Sequence, residues 1–469
     1  MDTREQCFDW KDFLKKLIAI GVPVALQNVL STTASMVDTI MLATRGETAV
    51  GAVGLCAQFS SLMFSGYWGF VGGGMLFFSQ FWGARNHKGI CRSYGLTLIC
   101  MMSVGLLFGL VAILAPEFVM QLYTDKQSIR DIGVQYLGIV GFAYPLQVLA
   151  MAMSALLRST ERVKIPLIAS LSSLAVNVIC NYLFILGKFG FPELGVRGAA
   201  ISTVIASIVN VTVIIALAVA NKHPYLLKIR EHFTFDKELT KEYFVKCFPI
   251  IVNEILIGIS NMVVNVVLGH QIEEAIVATA VFRTLEGFVI AFFSGFTNAS
   301  SVLVGKSIGS GEHLVGFERA KRLVWLCPAT IFTCCMIMLA FHKPILTAMG
   351  LSGESYNIGT WMLVIYSVMG SVRMTNWIQN DTFRAGGDPA FGTIREILFS
   401  YIMMLPCVIL AGQVIKLPFL FVFFCAYIDE PVRVVLMIRH MFSGRWIKPV
   451  TKQGLETIEK FREKYVKDF

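Results

Sequence analysis

Asp38 lies near the end of a long, mostly apolar stretch, Gly21–Leu42 (GVPVALQNVLSTTASMVDTIML), and no basic residue stands within one or two helical turns of it. A charge inside such a stretch is costly, so the acid needs a reason to be there. The chemistry it could do is to take up a proton or a cation, because a neutral carboxyl group is cheaper to bury than a charged one. The competing reading is a helix-end acid facing Arg45 in the following loop. Glu254 raises the same question in FPIIVNEILIGISNMVVNVVLG, where it follows Pro249 by five residues. Arg283 and Glu286 are spaced i,i+3 and can pair on one helix face. Asp429, Glu430 and Arg433 read as a similar, mainly structural group. Arg373 has no local partner and could meet an acid elsewhere or approach an anionic ligand. Asn177 and Asn181, at i,i+4, share a face from which buried amides bond to neighbouring helices. Pro23 and Pro249 remove backbone donors and can bend the helices that carry these acids.

The elements that position these residues follow from composition. The chain is 55% hydrophobic and 15% charged. Soluble proteins have roughly 45–50% apolar and 25% charged residues, so a soluble globular protein is excluded. The formal charge of +9 does not point to nucleic acid, because the basic residues sit in short clusters between apolar runs. Eleven scattered cysteines, from Cys7 to Cys425, form no CxxC and read as small reduced hydrophobes. The polar start and the length of the first apolar run predict no cleavable signal peptide. No Walker A loop, HExxH or GxSxG is present, and Gly72–Gly74 reads as helix packing, so an enzyme is not expected.

Runs of about 20 apolar residues predict membrane-spanning helices. There are twelve, roughly at 13–42, 49–82, 94–115, 129–157, 164–187 and 196–221, then 241–269, 275–308, 322–341, 356–383, 391–413 and 417–441. If both termini are cytoplasmic, the outer loops hold only Arg45, Lys126, Arg130, Lys188, Arg197, Lys343 and Lys416. Arg283, Arg373 and Arg433 fall inside spans, and the other 30 of the 40 Lys and Arg face inward. That bias predicts a multi-pass plasma (inner) membrane protein with both termini inside.

The chain is also written twice. Pro23 and Pro249, Gly69 and Gly295, Gly83 and Gly309, and Arg158 and Arg384 share one offset of 226 residues. Gln27 and Asn28 fall on Asn253 and Glu254. Six spans per copy make these parallel repeats. The expected organisation is an N-lobe at 1–221, a cytoplasmic linker at 222–240, a C-lobe at 241–446 and an amphipathic tail helix at the membrane surface, 447–469. The second copy carries its acid ten residues earlier than the first. At 1.5 Å per residue that is roughly 15 Å of depth, so Asp38 and Glu254 are expected to serve separate lobes.

On these residues the chain resembles the multidrug and toxic compound extrusion (MATE) family of secondary transporters, of prokaryotic type. The matching stretches include IGVPVALQNVLSTTASMVDTIML, SQFWGARNHK, LLRSTERVKIPLIASLSSLAVNVICNYLFILGKFGFPELGVRGAAIST, ASSVLVGKSIGSGEHLVGFERAKR and FRAGGDP, over residues 10 to 447. The resemblance implies an all-α membrane protein with two six-helix lobes around a central cavity. It implies antiport of organic, often cationic, compounds against sodium or protons by alternating access, without a cofactor. The family's first-helix acid matches Asp38, the seventh-helix acid of one branch matches Glu254, and the fifth-helix amide matches Asn177. Asp38 and Asn177 are then the candidates for holding sodium, with Glu254 and Asn181 in ion coupling. The candidates for the substrate cavity are Gln27, Asn28, Asn253, Arg283, Glu286, Arg373 and Asn376. The chain departs from the family where Asn181 replaces an aspartate of some members, and where the tenth-helix acid of another branch is missing. The expected partners are small organic substrates and lipid, with no nucleic acid, and the chain is expected to be a monomer. The alternatives are a lipid-linked saccharide flippase, which needs a basic cavity for pyrophosphate, and a non-transporting receptor or scaffold.

Overall fold

The computed structural model describes residues 8–226 and 228–466. Cys7 and the last three residues of the expected tail therefore lie outside the described residues, as does Leu227 of the linker. The described chain is helical throughout. Nine of its helices are long and apolar enough to cross a membrane, ten if a pair bent by 50° counts as one span. The remaining two expected spans are also helical. One is too polar to qualify on hydropathy, and the other is broken in the middle.

Contacts divide the chain into two compact units. One comprises Leu26–Phe78 and His87–Cys247. It holds most of α1 (Trp10–Ala43) and α2 (Glu47–Gly83), then α3 (His87–Leu114) and the short α4 (Pro116–Tyr123). The bent pair α5 (Gln127–Val140) and α6 (Ala143–Ser159) follows, then α7 (Lys164–Phe184), α8 (Val196–Ala220), the one-turn α9 (Ile229–His232) and the start of α10 (Lys237–Gly269). Its core packs Met153 and Leu157 of α6 on Ile165 and Ala169 of α7 and Val211 and Ile214 of α8. A second cluster sets Leu42 of α1 against Ile185 and Ala199, which fixes the end of α1 that carries Asp38. The linker is not loose: the His232 ring meets Tyr94 edge-on at 5.0 Å.

The other unit comprises Met1–Ala25, Ser79–Asn86 and Phe248–Phe469. Its long helices are the rest of α10, α11 (Glu273–Gly309), α12 (His313–Ala340) and α14 (Gly353–Gly386), with α13 (His342–Ala348) between the last two. α15 (Pro389–Phe399) runs through a π turn into α16 (Leu405–Ile409), and α17 (Phe419–Cys425) and α18 (Glu430–Ser443) form the broken span. α14 packs against α11, α12 and α18. Its buried Thr375, Asn376, Gln379, Asn380 and Arg384 explain why it fails on hydropathy: its polar face turns into protein, not lipid. α19 (Lys452–Tyr465) buries Gly454, Ile458 and Phe461. The expectation for this amphipathic tail was the membrane surface, but its apolar face is taken by protein. The Phe461 ring packs on Phe317 at 5.7 Å, Thr451 donates to the Gly309 carbonyl at 2.7 Å, and the His313 ring bonds to the Gly454 carbonyl at 2.9 Å.

The two contact units divide inside helices. α1 changes unit at Ala25–Leu26, just after Pro23, and α10 at Cys247–Phe248, just before Pro249. The reason is small-residue packing. Gly21 lies against Gly295 and Ala299, and at the same offset of 226 Cys247 lies against Gly73. A reciprocal crossing occurs at the end of α2, where a methyl group on Gly83 would strike the carbonyl of Lys306 and one on Gly309 the carbonyl of Gln80. Only glycine allows backbones this close.

Candidate functional site

α1 is prepared for its acid by what precedes it. Pro23 sits inside the helix and deprives one carbonyl of its donor. From there the hydroxyls of Ser31, Thr32, Thr33, Ser35 and Thr39 each donate to the carbonyl four residues back. Such bonds compete with the backbone ladder and bend helices. Asp38 lies at the end of this softened run. The amide nitrogen of Asn181 donates to its carboxylate and also to Asn177 Oδ1 at 3.2 Å. The i,i+4 spacing on α7 puts the two amides in line, and both are buried. Asn181 Oδ1 is buried without a hydrogen-bond partner.

No ion pair to Asp38 forms among the described residues. Arg45, its nearest cation in sequence, instead bonds to Glu193 and to the Ile185 carbonyl. The site therefore offers a carboxylate and two amide oxygens, the hard oxygen donors that suit sodium, and an acid able to carry a proton. Among the described residues, no group of three or more His, Cys, Asp or Glu side chains could hold a metal ion.

The second unit is charged differently. Glu254 was expected to be unpaired, but Arg384 reaches it at 3.2 Å and also lies 3.5 Å from Asp381. Arg158, which matches Arg384 in the repeat, donates at 2.7 Å to Gln27. Each proline-bearing helix is thus held one turn past its proline by an arginine from the fourth span of its own repeat. The holding group is a neutral amide in one copy and a carboxylate in the other. Asn253 donates to Glu396 at 3.0 Å, and Asn380 donates to the same oxygen at 2.9 Å. Arg433 lies 2.6 Å from Glu430 and 3.6 Å from both Asp429 and Glu396. Asn376 donates to Glu430 at 2.7 Å. Glu286 takes Arg283 at 2.7 Å, Arg373 at 3.5 Å and the Tyr427 hydroxyl at 3.2 Å. Arg373 also lies 3.8 Å from Glu430, so it is not without acids. Burying an unpaired ion costs several kcal/mol, so these groups require one another.

The candidates thus separate. Asp38, Asn177 and Asn181 come together, while Glu254 joins a different cluster. Arg283 and Arg373 line a cleft in the second unit. Gln27, Asn253, Glu286 and Asn376 are buried in polar contacts, and Asn28, part-buried, also has a partner. Sequence reasoning missed Glu396 and the two holding arginines. Glu396 gave a signal, an acid a few residues into the eleventh apolar run. Arg158 and Arg384 were visible only as matched positions of the repeat.

The comparisons with known proteins agree with this architecture. The MatE family model matches residues 23–183 and 249–410, two stretches that begin 226 residues apart. Among curated proteins, the chain is 26% identical over 412 residues to the probable multidrug resistance protein YoeA of Bacillus subtilis, covering 85% of this chain and 87% of that one. It is 23% identical over 434 residues to the uncharacterized transporter YisQ of the same organism, covering 92% and 95%. Among solved structures, a mutant of the Vibrio cholerae MATE transporter VcmN superposes with a TM-score of 0.83 at 16% identity, over 92% of this chain and 96% of that one. Two matched halves on an all-helical, membrane-spanning fold place this chain in the MatE family of membrane transporters.

Proposed function

We propose that this transporter exports small organic compounds, many of them cationic, in exchange for protons or sodium, and that Asp38 is the group whose loading drives the cycle. The observation that carries this is the Asp38 site itself: a part-buried acid held by Asn181, backed by Asn177 and in no ion pair among the described residues. A proton or sodium ion on Asp38 removes a net charge that no neighbour compensates, so loading changes the cost of each arrangement of the softened helix around it. A ligand shifts such an equilibrium only through its different affinity for the two states, and an uncompensated acid supplies that difference. Sodium would be held by the Asp38 carboxylate with the amide oxygens of Asn177 and Asn181. The names of the relatives, a probable multidrug resistance protein among them, favour export over uptake. In this reading the termini are cytoplasmic, the protein lies in the plasma membrane and it works as a monomer. A flippase for pyrophosphate-linked saccharides is disfavoured, because Arg283 and Arg373 both share the buried Glu286.

The test is dye uptake into everted membrane vesicles, with a sodium gradient and a pH gradient imposed separately. Uptake of a cationic dye should follow one of the gradients and vanish in D38N. Uptake that follows neither gradient would contradict the reading.

A further inference from the structure

A strap of chain, residues 446–451, runs over the ends of α2, α11 and α14 and leads into α19. All of these segments lie in the second unit. The crossing of α2 and α11 beneath it is tight: a methyl group on Gly83 would strike the Lys306 carbonyl, and one on Gly309 the Gln80 carbonyl. Gln80 belongs to this crossing and is fully buried. Its amide nitrogen donates to the Ala385 carbonyl at 2.8 Å, and its amide oxygen accepts the Val450 N–H at 2.8 Å. One side chain of α2 thus ties the end of α14 to the strap.

Thr451 is the second fastener. Its hydroxyl donates to the Gly309 carbonyl of α11 at 2.7 Å and accepts the Gly454 N–H at 3.1 Å. It therefore satisfies a last-turn carbonyl of α11 and caps α19 at once, both groups that a helix end leaves open. The strap backbone adds a bond from the Lys448 N–H to the Gly386 carbonyl at 2.8 Å. It runs so close that a methyl group on Gly387 would strike the Lys448 carbonyl. α19 is held more lightly. Of its 14 residues only Ile458 and Phe461 bury large apolar side chains, and Leu455 is 55% exposed. Near its start the His313 ring meets the Gly454 carbonyl at 2.9 Å and the Thr457 hydroxyl at 3.0 Å. A helix this short is marginal in water without packing. A well-fastened strap that leads into a lightly held helix opens most readily from the helix.

We propose that residues 446–465 are a latch on the crossing of α2 and α11. With the strap fastened, Gln80 is held at both amide atoms and the two helix ends stay together. When α19 lifts, Val450 and Thr451 leave their partners, Gln80 keeps only its bond to Ala385, and the ends of α2 and α11 part more often. The latch goes beyond the export reading. It uses neither Asp38 nor a bound ion, and it sets how often this crossing opens in the cycle that Asp38 drives.

The experiment is hydrogen exchange, read by mass spectrometry, on the purified full-length protein in detergent. T451V keeps the side-chain shape and removes the hydroxyl, T451S keeps the hydroxyl, and F461A undocks α19 while leaving the strap's own bonds in place. T451V should speed exchange roughly three- to tenfold in 446–456, 79–86 and 303–310, as for loss of an ordinary hydrogen bond, and leave α7 as in wild type. F461A should speed exchange in α19 and in the same two helix ends, although Phe461 packs on Phe317 of α12. T451S should stay within about twofold of wild type. Faster exchange confined to the strap and α19, with 79–86 as in wild type, overturns the proposal. Exchange unchanged everywhere, or raised equally in all helices, overturns it as well. Repeating T451V in D38N separates the latch from the export reading. Loosening of 79–86 in D38N keeps the latch even if export fails, and gradient-driven export with 79–86 unmoved sinks the latch alone.

Discussion

α1 and α10 are two copies of one helix, and they have diverged in how they treat charge. Both carry a proline at the matched position, both change unit beside it, and both are held by an arginine one turn later. α1 meets its arginine with the neutral Gln27 and carries Asp38 eleven residues further along, among amides. α10 meets its arginine with Glu254, and that acid joins a unit in which Arg384, Arg433, Arg373 and Arg283 already neutralise most of the carboxylates. An acid surrounded by amides changes its local charge fully when it loads an ion. An acid inside a salt-bridge network shares the change with its neighbours. The two copies thus hold their acids in different surroundings, amides in one and a salt-bridge network in the other.

The largest expected effect is at Asp38. D38N keeps the hydrogen bond from Asn181 but fixes the neutral form, so gradient-driven dye transport should fall at least roughly tenfold, while thermal stability in detergent stays near wild type. Next is the support of that acid. N181L removes its donor and should cut transport severely, and N181D adds a second charge that should move the pH dependence of transport. If both variants export like wild type, the two copies do not differ as described.

Breaking the arginine holds comes third. R384Q removes the Arg384 cation from Glu254 and Asp381 and should cost more stability than R158Q, whose Gln27 partner is a neutral amide. A gap of about 1–3 kcal/mol is expected in thermal unfolding. Equal losses would mean that the carboxylate in α10 makes no difference to the hold.

The matched glycines come fourth. G83A places a methyl group against the Lys306 carbonyl and should destabilise by about 1–3 kcal/mol, as overpacking does. G309A should match it through the reciprocal contact with Gln80, whereas G51A, with open space around it, should be neutral or better.

The linker carries a pH-dependent effect. Burial and the nearby Arg162 push His223 down to about 4, and its ring accepts the Leu226 N–H at 3.4 Å. The folded value lies below the usual unfolded one near 6.5, so the unfolded chain takes up the proton first. Stability should therefore fall as pH drops from 6.5 to 4, by up to about 3 kcal/mol, and H223Q should flatten that slope. Thermal unfolding across that range, which measures both proteins side by side, would expose the idea as wrong if the slopes are equal.

Most of the architecture was legible in the sequence because a bilayer imposes length and apolarity, and the 226-residue offset marked the duplication. The i,i+4 spacing of Asn177 and Asn181 was legible as a shared face. What it met was not, because α1 and α7 are far apart in the chain. The polar tenth span was legible as a helix although it fails on hydropathy, since its polar face is buried in protein. The pairing of Arg384 with Glu254 was hidden for a different reason. Arg384 sits at the end of its span, where basic residues ordinarily face water, and only the tertiary packing shows it buried.

The most direct measurement of the central claim sets D38N beside E254Q in liposomes of purified protein, with dye export read under an imposed ion gradient. The account predicts that D38N abolishes gradient-driven export while E254Q slows it and keeps its dependence on the gradient. Wild-type export by D38N, or complete loss in a well-folded E254Q with D38N active, would contradict it.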